Sequence, residues 1–350
     1  MGKDPSLRFR QGDVSLTSIG IVGLGKMGIL HAGILNALPN CKLVAICEKE
    51  TMISKLAKKI LPDITFCNSV PEMIETHDID AVFITTPIVS HAPIVDEISK
   101  VSRQVNIFVE KPLAGSLEDA KKILAQMSSS NTTKMIGFQK RFAPQFRRTK
   151  ELLDKKALGD LLFFKGFSFV SSVFSDGSGW RFKRGAGGSL LDLGSHLLDL
   201  ILWYFGAATS VSAVERSFYS SEVEDYTHVT LNFAKLVGSI DVSWSIRGFR
   251  LPETQIEIHG KNGSIFVDDD SLRISTERDI PGVISAGNHK LQKPDLVKGV
   301  DFLLSDAEYC LEDRYFLDCL SEKKPANPGL EAGVEVNRLV EQIHSVSQER

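Results

Sequence analysis

The chain has 350 residues, 43% of them apolar and 24% charged, which is long enough for two domains and too apolar for disorder. Its 41 basic and 44 acidic residues leave a formal charge of −3, which excludes a strongly basic nucleic-acid binder. The five cysteines (41, 47, 67, 310 and 319) hold no Cys-x-x-Cys pair, and no stretch reaches the ~18 apolar residues of a membrane span.

Residues 1–17 lack the apolar core of a signal peptide and are read as a tail on a cytoplasmic protein. Strands and helices then alternate. Ser18–Gly23 reads as a buried strand, Met27–Leu38 as a helix, Lys42–Cys47 as a strand and Thr51–Ile60 as a helix. Ala81–Thr85 is a strand, Ile94–Val101 a helix, Asn106–Val109 a strand, Leu117–Met127 a helix and Lys134–Phe138 a strand. This alternation predicts a doubly wound parallel sheet with helices on both faces. A boundary falls near 137–141, giving a tail (1–17), a first domain (18–140) and a second (141–350).

The second half changes rhythm. A helix is expected at Pro144–Asp154 and a strand from Leu161 to about Ser171. Val229, Leu231 and Phe233 alternate with polar residues, as do Ile240, Val242 and Trp244. Ile256 and Ile258 lead into Lys261-Asn262-Gly263-Ser264, with Ile265 and Val267 beyond, which is a hairpin pattern. An open, mostly antiparallel sheet with a few helices follows from this. Thr276–Asp306 is poorly patterned and is expected to be a long loop.

Gly23-Leu24-Gly25-Lys26-Met27-Gly28 fits Gly-x-Gly-x-x-Gly between the first strand and the first helix. Glycines at 23 and 25 permit a tight turn and close approach of a pyrophosphate, and Gly28 permits close packing of helix on sheet. The helix end offers free N–H groups to the anion, with Lys26 and Met27 on the same turn. Glu48 ends the second strand, twenty residues after Gly28, where a carboxylate binds ribose hydroxyls and repels a 2′-phosphate. NAD is therefore preferred, while Lys49 beside it keeps NADP open.

Open α/β sheets bind ligands at the carboxyl ends of their strands. Glu110-Lys111-Pro112, Thr86-Pro87 and His91 all follow strands and are expected along that edge. A lysine there can hydrogen-bond a substrate oxygen as an alkoxide forms. In the apolar helical stretch Gly187–Asp199, Asp192 and His196 are four apart, and His196 and Asp199 three apart, so they share a face. A carboxylate beside an imidazole fits a general base, and a satisfied core histidine is the competing reading. No Cys/His cluster supplies a metal set, and no metal is expected.

Taken together, these segments resemble the Gfo/Idh/MocA oxidoreductases. The matching pieces are Gly23–Gly28, Thr85-Thr86-Pro87 with His91, Glu110-Lys111-Pro112, Gly137-Phe138 with Arg141, Gly187-Gly188, and Asp192-x-Gly-x-His196. The resemblance implies a Rossmann domain and a second α/β domain whose large open sheet is used to form homodimers or homotetramers. It implies a nicotinamide cofactor and a sugar, nucleotide-sugar or cyclitol substrate. Lys111 becomes the active-site lysine with Asp192 and His196 as partners, and Lys111–Pro112 a candidate cis bond. Trp180-Arg181 resembles a segment near the substrate. Arg141 either contacts substrate or braces the domain junction, and Tyr309 either reaches substrate or lies in the core. Ala234-Lys235-Leu236 departs from the family's polar-Gly turn, which leaves that register open.

The leading expectation is hydride transfer from a secondary alcohol to NAD(P), with His196 as base, Asp192 orienting it and Lys111 polarising the oxygen. Two rivals remain. One is an epimerase, lyase or glycosidase that regenerates its cofactor after transient oxidation, and the other is a non-catalytic cofactor sensor.

Overall fold

The computed structural model describes residues 16–174, 180–183, 187–297 and 307–348. Most of the expected tail, part of the expected Thr276–Asp306 loop and the side chain of Trp180 lie outside the described residues.

The first half builds β1 (Thr17–Val22), α1 (Lys26–Ala37), β2 (Cys41–Cys47), α2 (Thr51–Ile60), β3 (Thr65–Cys67), α3 (Val70–Thr76), β4 (Ala81–Ile84), α4 (His91–Lys100), β5 (Asn106–Glu110), α5 (Leu117–Ser128) and β6 (Lys134–Gly137). Its six strands are all parallel, in the order β3-β2-β1-β4-β5-β6. Helices cover both faces, so the strands are apolar throughout rather than alternating; every residue of β4 is buried. Side-chain caps set helix starts: Ser69 accepts the Glu72 N–H and Ser116 the Asp119 N–H. The strand order reverses between β1 and β4, which opens a crevice at their carboxyl ends.

The second half builds α6 (Pro144–Asp154), β7 (Leu161–Phe169), α7 (Ser189–Asp192), α8 (Gly194–Phe205), β8 (Ser210–Arg216), β9 (Tyr226–Asn232), β10 (Val237–Ser243), β11 (Glu253–Gly260), β12 (Gly263–Asp268), β13 (Ser271–Thr276), β14 (Gly287–Gln292), α9 (Lys293–Leu296), α10 (Ala307–Ser321) and α11 (Leu330–Gln348). Eight strands form one sheet in the order β14-β13-β12-β11-β7-β10-β9-β8. Every pairing is antiparallel except β7 with β10. The α/β class and the open, mostly antiparallel second sheet match the sequence expectation.

Ile256, Ile258, Ile265 and Val267 are fully buried beneath the helices, while their alternate neighbours face outward. The β9–β10 hairpin keeps its register without the usual turn glycine, closing with Phe233 N–H to the Leu236 carbonyl (2.8 Å).

Two expectations need correction. Thr276–Asp306 is not one long loop, because β14 and α9 lie within it. β14 is a largely exposed edge strand whose polar Gly-Asn-His-Lys-Leu-Gln sequence gives no apolar alternation to read. The helix expected over Gly187–Asp199 is broken at Leu193 into α7 and α8. The second half also reaches back to the first sheet. α10 returns to pack on α1, with Phe316 set edge-on against Phe83 and Phe108 of the first.

Candidate active site

The glycine turn lies between β1 and α1. Gly23 has φ +92°, a left-handed conformation that favours glycine. A Cβ on Gly28 would lie 2.0 Å from the Gly23 carbonyl, which already accepts the Thr85 hydroxyl at 2.7 Å. Gly25 faces open space, and no side chain caps α1. Thr86 packs on Gly23, and its hydroxyl is buried without a partner. Glu48 accepts the Leu24 N–H (2.5 Å) and the Glu50 N–H (2.7 Å), which fixes its carboxylate beside the turn. An uncapped helix end, an open glycine and an orphan hydroxyl fit a dinucleotide diphosphate.

Gly28→Ala is expected to weaken NADH binding by about 5–150-fold, because overpacking this turn costs about 1–3 kcal/mol. Gly33→Ala, at a helical site with open space, serves as the control and leaves affinity unchanged. Fluorescence titration with NADH checks both. Equal affinity in the two variants would contradict the cradle.

Lys111 follows β5, and its peptide bond to Pro112 is cis. Its ammonium donates to the Asp192 carbonyl (2.7 Å) and lies 3.5 Å from an Asp192 carboxylate oxygen. The carbonyl is at the helix break, where Ser195 Oγ also donates to it (3.3 Å). The structure therefore brings Lys111 and Asp192 together across 81 residues of chain. Arg181 approaches the other Asp192 oxygen at 3.9 Å.

His196 is buried near this pair. Its Nε2 faces the Gln139 amide nitrogen (3.4 Å), and its Nδ1 has no partner. The same amide donates to the Tyr309 hydroxyl (3.1 Å). Burial, then the positive charges of Lys111 and Lys140, holds the imidazole well below its usual pKa, so it is neutral near pH 7. Asp192 makes no hydrogen bond to His196, which corrects the shared-face reading. The break at Leu193 directs the carboxylate to Lys111 instead.

Asp199 is not a partner of His196 either. It is buried and takes a two-pronged grip from Arg141, Nε to Oδ2 at 2.8 Å and Nη2 to Oδ1 at 2.6 Å. Arg141 also donates to Asn327 (3.1 Å) and lies over Trp203. Of its two readings, this geometry is that of a brace.

His91 and Glu110 do not line the crevice as expected. Both are buried. His91 Nδ1 faces the Pro112 and Leu113 carbonyls (3.1 and 3.2 Å) and its Nε2 the Thr86 carbonyl (3.0 Å), so it ties two edge loops together. Glu110 turns inward to His31 Nε2 (3.0 Å) and accepts the Lys111 N–H (2.9 Å). Pro87 stays exposed at the edge. Sequence reasoning missed His31, Gln139 and Asp313. His31 sits three residues after Gly28 on the same helix, and that spacing is the one local signal.

Comparison with known proteins follows this division. Residues 17–138 match the model of the oxidoreductase family with an NAD-binding Rossmann fold. Residues 146–266 match the GFO/IDH/MocA C-terminal domain. A scyllo-inositol 2-dehydrogenase (NAD(+)) of Bacillus subtilis (strain 168) is 26% identical over 310 residues, covering 87% of this chain and 86% of that one. A myo-inositol 2-dehydrogenase of Thermotoga maritima is 26% identical over 260 residues, covering 71% and 75%. Among solved structures, a levoglucosan dehydrogenase complexed with NADH and levoglucosan has a TM-score of 0.84 at 21% identity. It covers 95% of this chain and 97% of its own.

Proposed function

The chain belongs to the GFO/IDH/MocA oxidoreductases, and from that premise we propose that it oxidises a secondary alcohol of a sugar or cyclitol with NAD. The observation that carries the reading is the Lys111 ammonium held by Asp192 beside a neutral His196, at the carboxyl edge of the Rossmann sheet. The named inositol dehydrogenases among its relatives support the substrate class.

NAD, when bound, supplies the hydride acceptor. Gly23, Gly25, Lys26, Met27 and Gly28 hold the diphosphate through main-chain N–H groups. Glu48 takes the ribose hydroxyls, and the Thr86 hydroxyl and Pro87 edge the site. Lys111 donates to the substrate oxygen and stabilises negative charge as it develops there. His196, neutral at working pH, is the acceptor for the hydroxyl proton. Asp192 positions Lys111, and Arg181 stands at the substrate side. The division near residue 140 separates a dinucleotide half from a substrate half. The outer face of the second sheet, with Phe163 and Val237 exposed, serves as the surface between copies. Among the described residues no helix is long and apolar enough to cross a membrane.

Two measurements test the reading. Mass spectrometry of nucleotide released from the purified protein should identify NAD(H). A panel of inositols, levoglucosan and sugars should give net NADH absorbance with NAD+ and far less with NADP+. Released NADPH would overturn the role of Glu48, and substrate loss without net NADH would overturn simple dehydrogenation. Glu48→Ser is expected to narrow the NAD-over-NADP preference by about 5–150-fold, from loss of about 1–3 kcal/mol of hydrogen bonding and repulsion. An unchanged ratio of kcat/KM values would remove Glu48 from cofactor selection.

A further inference from the structure

We propose that His31, clamped by Asp313, is a positioning residue that holds both arms of the site, the Lys111 main chain through Glu110 and His196 through Tyr309 and Gln139. The inference rests on the catalytic reading of Lys111 and His196 above.

His31 is fully buried, and both of its ring nitrogens face carboxylates. Nδ1 meets Asp313 at 2.8 and 2.9 Å, and Nε2 meets Glu110 at 3.0 Å. Each nitrogen can bond a carboxylate only by donating, so the ring is an imidazolium. Burial alone would lower its pKa, but Asp313 and Glu110 outweigh that and raise it well above the usual value. The second oxygen of Glu110 takes the Lys111 N–H at 2.9 Å, so the imidazolium fixes the carboxylate that fixes the Lys111 main chain.

The other arm leaves from the ring face. Tyr309 stands edge-on to His31, with centroids 6.2 Å apart at 82°. Its hydroxyl accepts the Gln139 amide, which faces His196 Nε2. Phe83 and Phe108 pack around the ring and leave it little room to turn. Nearby Glu312 is buried with neither oxygen partnered. Burial, then Glu110, raises its pKa well above the usual range, and the imidazolium's direct partners are the other two acids.

Stability alone is a weak reason for such a cluster, because apolar packing commonly replaces a buried ion triad without loss. Position is a stronger one, because a misplacement of about 1 Å near the chemistry can cost about 100-fold in rate.

The test compares Lys111→Met, His31→Leu, His31→Gln and Asp313→Asn in the full chain. The assay uses NAD+ and whichever of scyllo-inositol or myo-inositol turns over faster. Readouts are kcat, KM, NADH affinity by fluorescence, Tm and hydrogen exchange at the Lys111 amide. His31→Leu is expected to lose about 30–100-fold in kcat, with NADH affinity within about threefold and faster exchange at Lys111. His31→Gln, whose amide still donates to Glu110, should recover part of kcat and of the protection. A lower Tm with wild-type kcat and Lys111 exchange in the folded protein would reduce His31 to a structural residue and overturn the proposal. If His31→Leu does not fold, wild-type kcat in both His31→Gln and Asp313→Asn overturns it equally. Full turnover by Lys111→Met would instead defeat the catalytic reading, so the two failures are distinguishable.

Discussion

Lys111→Met lowers kcat by about 10²–10⁴-fold while leaving NADH affinity unchanged, the range expected when a positioned proton-handling group is removed. Methionine keeps the length and much of the volume of lysine and removes only the ammonium. The Asp192 carbonyl keeps its Ser195 Oγ donor, and the half-buried carboxylate keeps Arg181 nearby and some access to solvent, so Tm should fall little. The loss therefore appears in kcat rather than in folding or cofactor affinity. Steady-state kinetics beside NADH titration make the check, and wild-type kcat in Lys111→Met removes Lys111 from the chemistry. The pH profile offers a second handle. His196 has its pKa held well below the usual value by burial and two nearby lysines, so the proton-accepting form persists on the acid side of pH 6.5. The acid limb governed by His196 should accordingly lie below that pH. A limb at or above it, lost in His196→Ala, would contradict this placement.

Arg141→Met destabilises the protein by about 3–5 kcal/mol, because it strands the Asp199 carboxylate in the interior. The side chain of Asp199 is only 1% exposed, and the Arg141 fork supplies its described partners. Burial already raises the Asp199 pKa, with Arg141 opposing that rise. Without the guanidinium the folded-state value climbs further. A carboxyl whose folded pKa exceeds its unfolded one favours folding when protonated, and that contribution is lost as pH rises through the folded value. The penalty in Arg141→Met should therefore be larger at pH 8 than at pH 5. Urea midpoints at the two pH values test the sign. Arg141→Met/Asp199→Leu, with no charge left to strand, should recover most of the loss. Failure to recover would mean that Arg141 acts mainly through Asn327 and Trp203.

The fold was readable wherever burial imposes a local pattern. The inner Rossmann strands are sealed on both faces and appear as short apolar runs, whereas β3, a three-residue edge strand with one buried residue, has no such run and went unread. β9 to β12 are covered on one face and appear as alternation. β14, at an exposed edge, has no such pattern. The helix around Asp192 read as continuous because its apolar residues recur at helical spacing on both sides of Gly194, which stands at the break. At the break the Asp192 carbonyl accepts Lys111, from 81 residues away, beside the local Ser195 hydroxyl. The same limit explains Asp199, whose helical neighbour His196 is not its partner.

By itself the sequence determined the glycine cradle, the carboxylate at Glu48 and the lysine at the end of β5. Each depends on residues adjacent along one strand–turn–helix unit, and the backbone geometry of that unit is local. Tertiary structure alone decided which polar groups face the crevice and which face inward. It turned His91 and Glu110 into the interior, directed Asp192 to Lys111 across 81 residues, and joined His31 to Asp313 across 282. A buried charge must find an opposite charge or a hydrogen-bond donor wherever packing supplies one. That partner is chosen by where the helices dock, and spacing along the chain carries no trace of it.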